Sequence, residues 1–150
     1  MPQPPVLTGQ DIAEAQGAVT RLLEHSLTAT GVSSQEYVVL RVLSLRGPYA
    51  SAGDLRAFLA SQPQVGLTAE GISQLLAALE AQGLASGTAP GSPGPAAATP
   101  AGKARLAKLN EAVAPATRAV FAGLDPGELA IARNVLAQVT ARAADLVDRR

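Results

Sequence analysis

Apolar residues recur every three or four positions along most of this chain, and glycines and prolines divide the pattern into separate segments. This spacing gathers apolar side chains on one face of an α-helix, whereas a half-buried strand needs strict alternation. The sequence therefore predicts a mainly α-helical protein. The expected helices cover about residues 9–30, 33–46, 51–60, 68–82, 99–121 and 125–147.

Capping residues mark the helix boundaries. Thr68 precedes the fourth helix and Asp125 precedes the last one, where Pro126 and Glu128 complete the start signal. A side-chain oxygen at this position satisfies backbone N–H groups that the first turn leaves unpaired. Pro115 lies inside the fifth helix and lacks an N–H group, so we expect a kink or a break there.

The third and fourth helices are short, and the turn between them contains Pro63 and Gly66, as in a helix-turn-helix. Residues 84–98 then read LASGTAPGSPGPAAA, which carries no charge and is rich in Gly, Pro and Ala. This composition predicts either two short strands around a turn, the size of a winged-helix hairpin, or a disordered loop.

The residue types present exclude several kinds of site. The chain has no cysteine and one histidine, His25, which removes disulfides, thiolate catalysis and metal sites built from Cys or His clusters. No carboxylate pair, nucleophile–base pair or phosphate-binding loop indicates an enzyme. We expect no catalytic residue, no metal and no cofactor. The 150 residues, 47% of them hydrophobic, suffice for one core.

The sequence gives no sign of membrane insertion or export. Its apolar runs are interrupted by charge within about ten residues, whereas a bilayer needs roughly 20, and its N-terminus lacks a basic region followed by an apolar stretch. We expect a cytoplasmic protein with no membrane contact. Its 12 basic and 12 acidic residues cancel, so any nucleic-acid site must depend on local charge.

Three strings resemble landmarks of the MarR family of bacterial transcription regulators. SSQEYVVLRVL is similar to the start of that family's second helix, LTAEGISQLLAALEAQGL to its recognition helix, and ATPAGKARL to the Thr-Pro-x-Gly that follows its wing. With LDPGELAIARNVLAQV, the matches span about residues 7–147. The resemblance implies one MarR-like domain over 1–150, with a winged helix-turn-helix lobe at about 34–99 between dimerisation helices at about 7–31 and 100–150.

The resemblance further implies a homodimer that binds double-stranded DNA and responds to a small-molecule effector. The last helix independently favours a dimer, because nothing adjacent in sequence covers its apolar side. A two-fold helical base of this kind sets two recognition helices about 34 Å apart. The candidate interface residues are Ile12, Val19, Leu129, Leu136, Val139 and Leu146.

Candidate DNA contacts lie in the helix-turn-helix, the wing and the helix after it. Amide groups at the start of the fourth helix can bind phosphate, and glutamine suits adenine; the alternative is a solvated helix face. The candidates are Arg56, Thr68, Ala69, Glu70, Ser73, Gln74, Thr88, Ser92, Lys103 and Arg105. Between Ser51 and Thr99 the chain carries one basic and three acidic side chains, a net charge of about −2 that opposes phosphate binding.

The resemblance places a ligand pocket beside the first two helices. The candidates are Arg21, His25, Tyr37 and Arg41, of which the arginines can pair with an anionic ligand. The alternative is that Tyr37 belongs to the core and His25 to a dimer interface or the surface.

Three functions stay open. The first is a homodimeric DNA-binding transcriptional regulator controlled by a small-molecule ligand. The second, motivated by the uncharged wing and acidic recognition helix, is a MarR-like dimer that has lost DNA binding and acts as a ligand-binding or protein-interaction module. An enzyme on this scaffold with His25 as a base is the third, and no motif supports it.

Overall fold

The computed structural model describes residues 2–3, 6–62 and 65–149. Within these ranges the chain forms six α-helices and one two-stranded sheet, which confirms the mainly helical prediction. The helices are α1 (Gly9–Leu27), α2 (Ser34–Arg46), α3 (Ala52–Ala60), α4 (Ala69–Ala81), α5 (Pro100–Phe121) and α6 (Pro126–Asp148), and the strands are β1 (Ala85–Ser86) and β2 (Ala97–Ala98). The predicted boundaries lie within a few residues of these, and Pro63 of the predicted turn lies outside the described residues.

The predicted caps are formed. The Thr68 hydroxyl accepts a hydrogen bond from the Gly71 N–H at 3.1 Å, and the Asp125 carboxylate accepts one from the Glu128 N–H at 2.9 Å. Serine hydroxyls begin α2 and α3 in the same way. Each cap removes an unpaired donor from a first turn, a contribution of about 1 kcal/mol to helix stability.

The buried side chains form two clusters where composition predicted one core. The first fills the winged helix-turn-helix lobe and contains Val39, Leu43, Leu55, Leu59, Val65, Ile72, Leu76, Leu79, Ala85 and Ala96. The second joins α1, α2 and α5 and contains Leu27, Tyr37, Leu40, Leu106 and Leu109. α2 contributes to both because its apolar residues cover a broad part of its circumference. Through these two sets of contacts, α2 connects the lobe core to α1 and α5.

The wing is a hairpin and not a disordered loop. β1 and β2 pair antiparallel, with Ala85 opposite Ala98. The backbone of Tyr49, just before α3, exchanges two hydrogen bonds of 2.9 Å with Ala96. The chain segment before the helix-turn-helix therefore extends the small sheet at the base of the wing.

Residues 117–150 form a compact unit separate from residues 1–116. The described part of this second unit contains the end of α5 and all of α6, and it has no buried residue. α5 passes through Pro115 as one helix, so the predicted break does not occur. The large apolar side chains exposed in this unit are Val120, Phe121, Leu124, Ile131, Val135, Leu136, Val139, Leu146 and Val147.

Gly102 permits a close approach at the start of α5. It is buried, and a Cβ atom there would overlap the carbonyl oxygen of Leu84. That carbonyl accepts a hydrogen bond from the Thr99 N–H at 3.1 Å, and the Thr99 hydroxyl donates to the carbonyl of Gly83 at 2.5 Å. The Thr-Pro-x-Gly string therefore fixes the start of α5 against the turn that ends α4.

We expect Gly102→Ala to lower the free energy of unfolding by about 1–3 kcal/mol, because backbone atoms must move to admit the methyl group. This loss outweighs the better helix propensity of alanine. Gly53→Ala is the matched control, since a Cβ at this exposed helical glycine meets only the Ser51 hydroxyl at 3.6 Å. Urea unfolding measures both variants, and an unchanged or raised stability of Gly102→Ala would contradict the close approach.

Candidate nucleic-acid interface

The second helix of the helix-turn-helix, α4, has one buried side and one exposed side. Ile72, Leu76 and Leu79 face the lobe core and are at most 2% exposed. The opposite side, which we call the recognition face, consists of Ala69, Glu70, Gln74, Ala77 and Ala81, all exposed. This is the arrangement that a helix needs to enter a major groove, because its base is packed while its outer side is free.

The N-terminal end of α4 offers backbone donors. Thr68 is exposed and its hydroxyl oxygen already accepts from the Gly71 N–H. The amide groups of Ala69 and Glu70 belong to the first turn, where N–H groups have no partner within the helix. Such an end binds phosphate oxygens without a cationic side chain.

The side chains of the recognition face are polar at one end and small at the other. The Gln74 amide donates to the Glu70 carboxylate at 3.5 Å, and both are exposed. Ala77 and Ala81 follow at the next turns. The face therefore offers an amide, a carboxylate and methyl groups to a base edge, and no cation.

Arg56, predicted as a DNA contact, is turned into the lobe. Its Nη1 donates to the Ser73 hydroxyl of α4, and its Nη2 donates to the Thr88 carbonyl of the wing at 3.0 Å. The Thr88 hydroxyl in turn donates to the Glu80 carboxylate at 2.5 Å. We call Arg56, Ser73, Glu80 and Thr88 the Arg56 clamp.

The clamp corrects two sequence-based assignments. Thr88 is fully buried, so the predicted contact of its side chain with DNA is wrong. Ser73 is half-buried and its hydroxyl oxygen accepts a hydrogen bond from Arg56, so this side chain faces α3 and does not belong to the exposed outer side of α4. Sequence periodicity predicts the helix face on which a side chain lies. It does not predict which polar group of a spatially adjacent helix or strand will form a hydrogen bond with that side chain.

The exposed charges between Ser51 and Thr99 are consequently negative. Between Ser51 and Thr99, Arg56 supplies the one positive side chain and Glu80 one of the three negative ones, and both belong to the clamp. The remaining charges are the exposed carboxylates Asp54 and Glu70. Burial raises the pKa of the nearby Tyr49 hydroxyl, against the opposing effect of Arg46, so this group is neutral at physiological pH.

The tip of the wing carries no charged side chain. Ser92, a predicted DNA contact, is half-buried, and its N–H donates to the Ala89 carbonyl at 3.1 Å. Gly87, at the end of β1, has a φ of 71°, and a Cβ there would overlap the carbonyl of Pro95 across the hairpin. The tip therefore offers backbone groups and small side chains to a ligand.

Lys103 and Arg105, with the neighbouring Lys108, are exposed on the first turns of α5. Because α5 begins against the turn after α4, this basic cluster lies beside the C-terminal end of α4. The Thr68 cap is at the opposite end of the same helix. The structure thus separates the cations from the amide groups that sequence analysis grouped with them.

A shallow pocket lies between α2, α4 and α5. It has room for about one water molecule, and it is lined by Val32, Glu36, Leu40, Leu79, Gln82, Leu84, Arg105 and Leu109. The floor is apolar, while a carboxylate, an amide and a guanidinium supply the polar groups. Glu36 and Gln82 were not predicted, because a glutamate in a first turn and a glutamine in a last turn are ordinary in solvated helices.

None of the four predicted ligand-pocket residues lines this pocket. Tyr37 is 6% exposed within the second buried cluster, and its hydroxyl donates to the Asn110 side chain at 2.7 Å. Arg21, His25 and Arg41 are exposed. Tyr37 therefore follows the core alternative.

The predicted dimer-interface residues belong to two helices, α1 and α6. On α1, Ile12 is half-buried and Val19 is 52% exposed. On α6, Leu129 is half-buried. Leu136, Val139 and Leu146 are 42%, 43% and 65% exposed, on one side of the helix. α6 thus has an apolar stripe that its own unit leaves in contact with solvent.

Among the described residues, no helix combines the length and the apolar character that crossing a bilayer requires. No family model matches the sequence, and no curated protein matches it.

Solved structures match most of the chain. Rv2887, a MarR family protein of Mycobacterium tuberculosis solved in complex with DNA, superposes with a TM-score of 0.65 at 23% identity, over 89% of this chain and 98% of its own. This chain has the MarR fold. The same fold is found when Rv2887 is bound to p-aminosalicylic acid, with a TM-score of 0.66 at 23% identity over 89% and 99% of the two chains. A transcriptional regulator named PA3341 matches with a TM-score of 0.72 at 23% identity, over 91% and 98%.

The MarR fold confirms the predicted winged helix-turn-helix architecture with flanking helices. It also gives the elements their places in that architecture: α3 and α4 are the helix-turn-helix and β1–β2 the wing. At this level of sequence identity the likeness concerns the fold, and function depends on the residues that the fold presents.

Proposed function

We propose that this protein is a homodimeric DNA-binding transcriptional regulator. The observation that carries the proposal is the recognition face: in a MarR fold, α4 has a packed inner side and an exposed outer side that ends at a capped N-terminus. The DNA complex of Rv2887 supports the same use of the fold here. The structural relatives are described as regulators, which supports a non-enzymatic role.

Backbone amide groups contribute more to DNA binding at α4 than cationic side chains do. Amides at the start of α4 bind phosphate. Gln74 pairs with the adenine edge, the Glu70 carboxylate accepts from the cytosine amino group, and the Ala77 methyl packs on a thymine methyl. Each good base contact discriminates by about 1–3 kcal/mol.

A homodimer supplies the second recognition helix. The apolar stripe of α6 buries Leu136, Val139 and Leu146 against the partner's copy, and Val19 of α1 joins the interface. Full burial of a large aliphatic side chain contributes up to about 1.5–3 kcal/mol, and this contribution from both copies of the stripe offsets part of the cost of association. The twofold axis then presents both α4 helices to successive major grooves, about 34 Å apart.

A small-molecule effector acts through the pocket between α2, α4 and α5. Leu79 of α4 and its C-cap residue Gln82 line it, so a ligand that fits one orientation of α4 better than another shifts DNA affinity by that difference. The complex of Rv2887 with p-aminosalicylic acid supports an effector of the aromatic acid class. Because the pocket has room for about one water molecule, such a ligand would enter only if α4 moved, and Arg105 would then pair with its carboxylate.

The test is binding to a fluorescent duplex from the protein's own promoter region, followed by anisotropy over a series of salt concentrations. We expect specific binding, with a plot of log K against log[salt] no steeper than about −5, the value for the three basic residues at the start of α5 in both subunits. A scrambled duplex is the control. Absence of any preference for the promoter duplex at low salt would overturn the proposal.

The second candidate is a MarR-fold dimer that has lost DNA binding and binds a ligand or a protein. The inward turn of Arg56 favours it, because the free charges left on the lobe between Ser51 and Thr99 are the two carboxylates Asp54 and Glu70. Sequence-specific retention of DNA by the purified protein would eliminate this candidate.

A further inference from the structure

We propose that Arg56 is a positioning residue that holds the wing against α4, and that it does not contact DNA. The inference rests on the proposed DNA-binding function for its effect on affinity. Its structural basis is independent of that function. Arg56 is on α3, Ser73 is on α4 and Thr88 is in the wing, so one guanidinium joins three elements.

The wing has few other anchors, and all of them are at its base. β1 and β2 are two residues each. The buried side chains at this base are the small alanines Ala85 and Ala96, and the backbone of Ala96 pairs with Tyr49. A two-stranded hairpin of this size is not stable without packing or polar anchors. The Arg56 clamp supplies such an anchor at Thr88, where the chain leaves the sheet.

The chemistry of the clamp requires an arginine. Its planar fork directs two N–H groups from two nitrogen atoms to two different acceptors, whereas the three N–H groups of a lysine all leave from one nitrogen atom and cannot reproduce this fork. The Nε atom is buried and has no hydrogen-bond partner among the described residues, which costs free energy. A side chain that served as a phosphate ligand would keep its nitrogens in water, so the burial indicates an internal role.

The hydrogen bond between Thr88 and Glu80 holds Thr88, whose carbonyl accepts from Arg56, in place. The fully buried Thr88 hydroxyl donates to the Glu80 carboxylate at 2.5 Å, and it lies 3.5 Å from the Leu76 carbonyl. Both partners are on α4. The wing is therefore tied to α4 directly through Thr88 and indirectly through Arg56, and the angle between wing and recognition face depends on both links.

The experiment compares Arg56→Lys, which keeps the charge, with Arg56→Gln, which removes it. A positioning role predicts that both lower affinity for the promoter duplex by about tenfold, as two lost hydrogen bonds would, and that neither changes the slope of log K against log[salt]. If Arg56 bound phosphate in both subunits, Arg56→Gln would make the slope shallower by about 1.8 and Arg56→Lys would keep it. That result would overturn the proposal.

Hydrogen exchange separates this inference from the proposed function. In the free protein, amides of residues 85–98 should exchange faster in Arg56→Lys than in the wild type, while amides of α6 stay unchanged. Thr88→Val should also raise the exchange rate of these wing amides, although Arg56 is intact. Thr88→Ser should keep the wild-type exchange rate, because serine retains the hydroxyl. If the wild type binds no DNA, the proposed function fails and the exchange data still decide the clamp. Unchanged wing exchange in both Arg56→Lys and Thr88→Val would overturn it.

Discussion

The double variant Leu136→Asp, Val139→Asp should be monomeric and should lose at least about 100-fold in affinity for the promoter duplex. Two aliphatic side chains that contribute about 1.5–3 kcal/mol each on burial are replaced by carboxylates, and two copies of the new charges would face each other across a twofold axis without partners. Loss of the second recognition helix then removes half of the DNA contacts. Light scattering after gel filtration measures the mass, and anisotropy measures the affinity.

Asn134→Asp, Gln138→Asp is the matched control for this variant. It adds the same two carboxylates to α6, on the side opposite to the apolar stripe, where both native residues are exposed. The control should stay dimeric and bind DNA with little change. If Leu136→Asp, Val139→Asp remains a dimer, the stripe on α6 is not the subunit interface.

Ala77→Glu should lower affinity for the promoter duplex by at least about 100-fold while leaving thermal stability almost unchanged. Ala77 is exposed at the middle of the recognition face, so a glutamate there costs only a few tenths of a kcal/mol in helix propensity. In the groove it places a second carboxylate on the face that carries Glu70, about two helical turns away and close to the bases and phosphates, and like charges brought together in an interface cost several kcal/mol. Anisotropy measures the affinity and calorimetry the melting temperature.

The control for Ala77→Glu is Ala29→Glu, which adds the same side chain at an exposed position of the turn between α1 and α2. This variant has the same net charge as Ala77→Glu, so it accounts for the general repulsion between protein and DNA. A similar small loss in both variants would show that the exposed side of α4 does not lie in the groove.

The sequence predicted the parts of the fold that are specified locally. The Asp125-Pro126 start of α6 and the Thr68 cap of α4 depend on residues within one helical turn, and so they could be identified without a structure. The composition of the wing is compatible with both a hairpin and a disordered loop. Its decisive pairing with Tyr49 joins residues far apart in the chain, which no short-range pattern reveals.

The candidate site is harder to predict because its side chains form hydrogen bonds with residues of other helices and of the wing. Arg56 was assigned to DNA as the lone cation of the helix-turn-helix, but its acceptors lie 17 and 32 residues away. Thr88 lies in a Gly- and Pro-rich segment without periodicity, so no sequence pattern predicts that its side chain is buried. Arg105 lines a pocket with Glu36, from the second helix, and this too is a product of long-range packing.

The residues that secure the hairpin sit at its base, whereas most of the turn between them has side chains that pack on nothing. Ala89, Pro90, Pro93 and Pro95 are exposed, as are Gly91 and Gly94. The length and charge of this turn are therefore separable from the architecture beneath it. An arginine or a longer loop can be introduced there without repacking the interior, which makes this turn a suitable position for engineering.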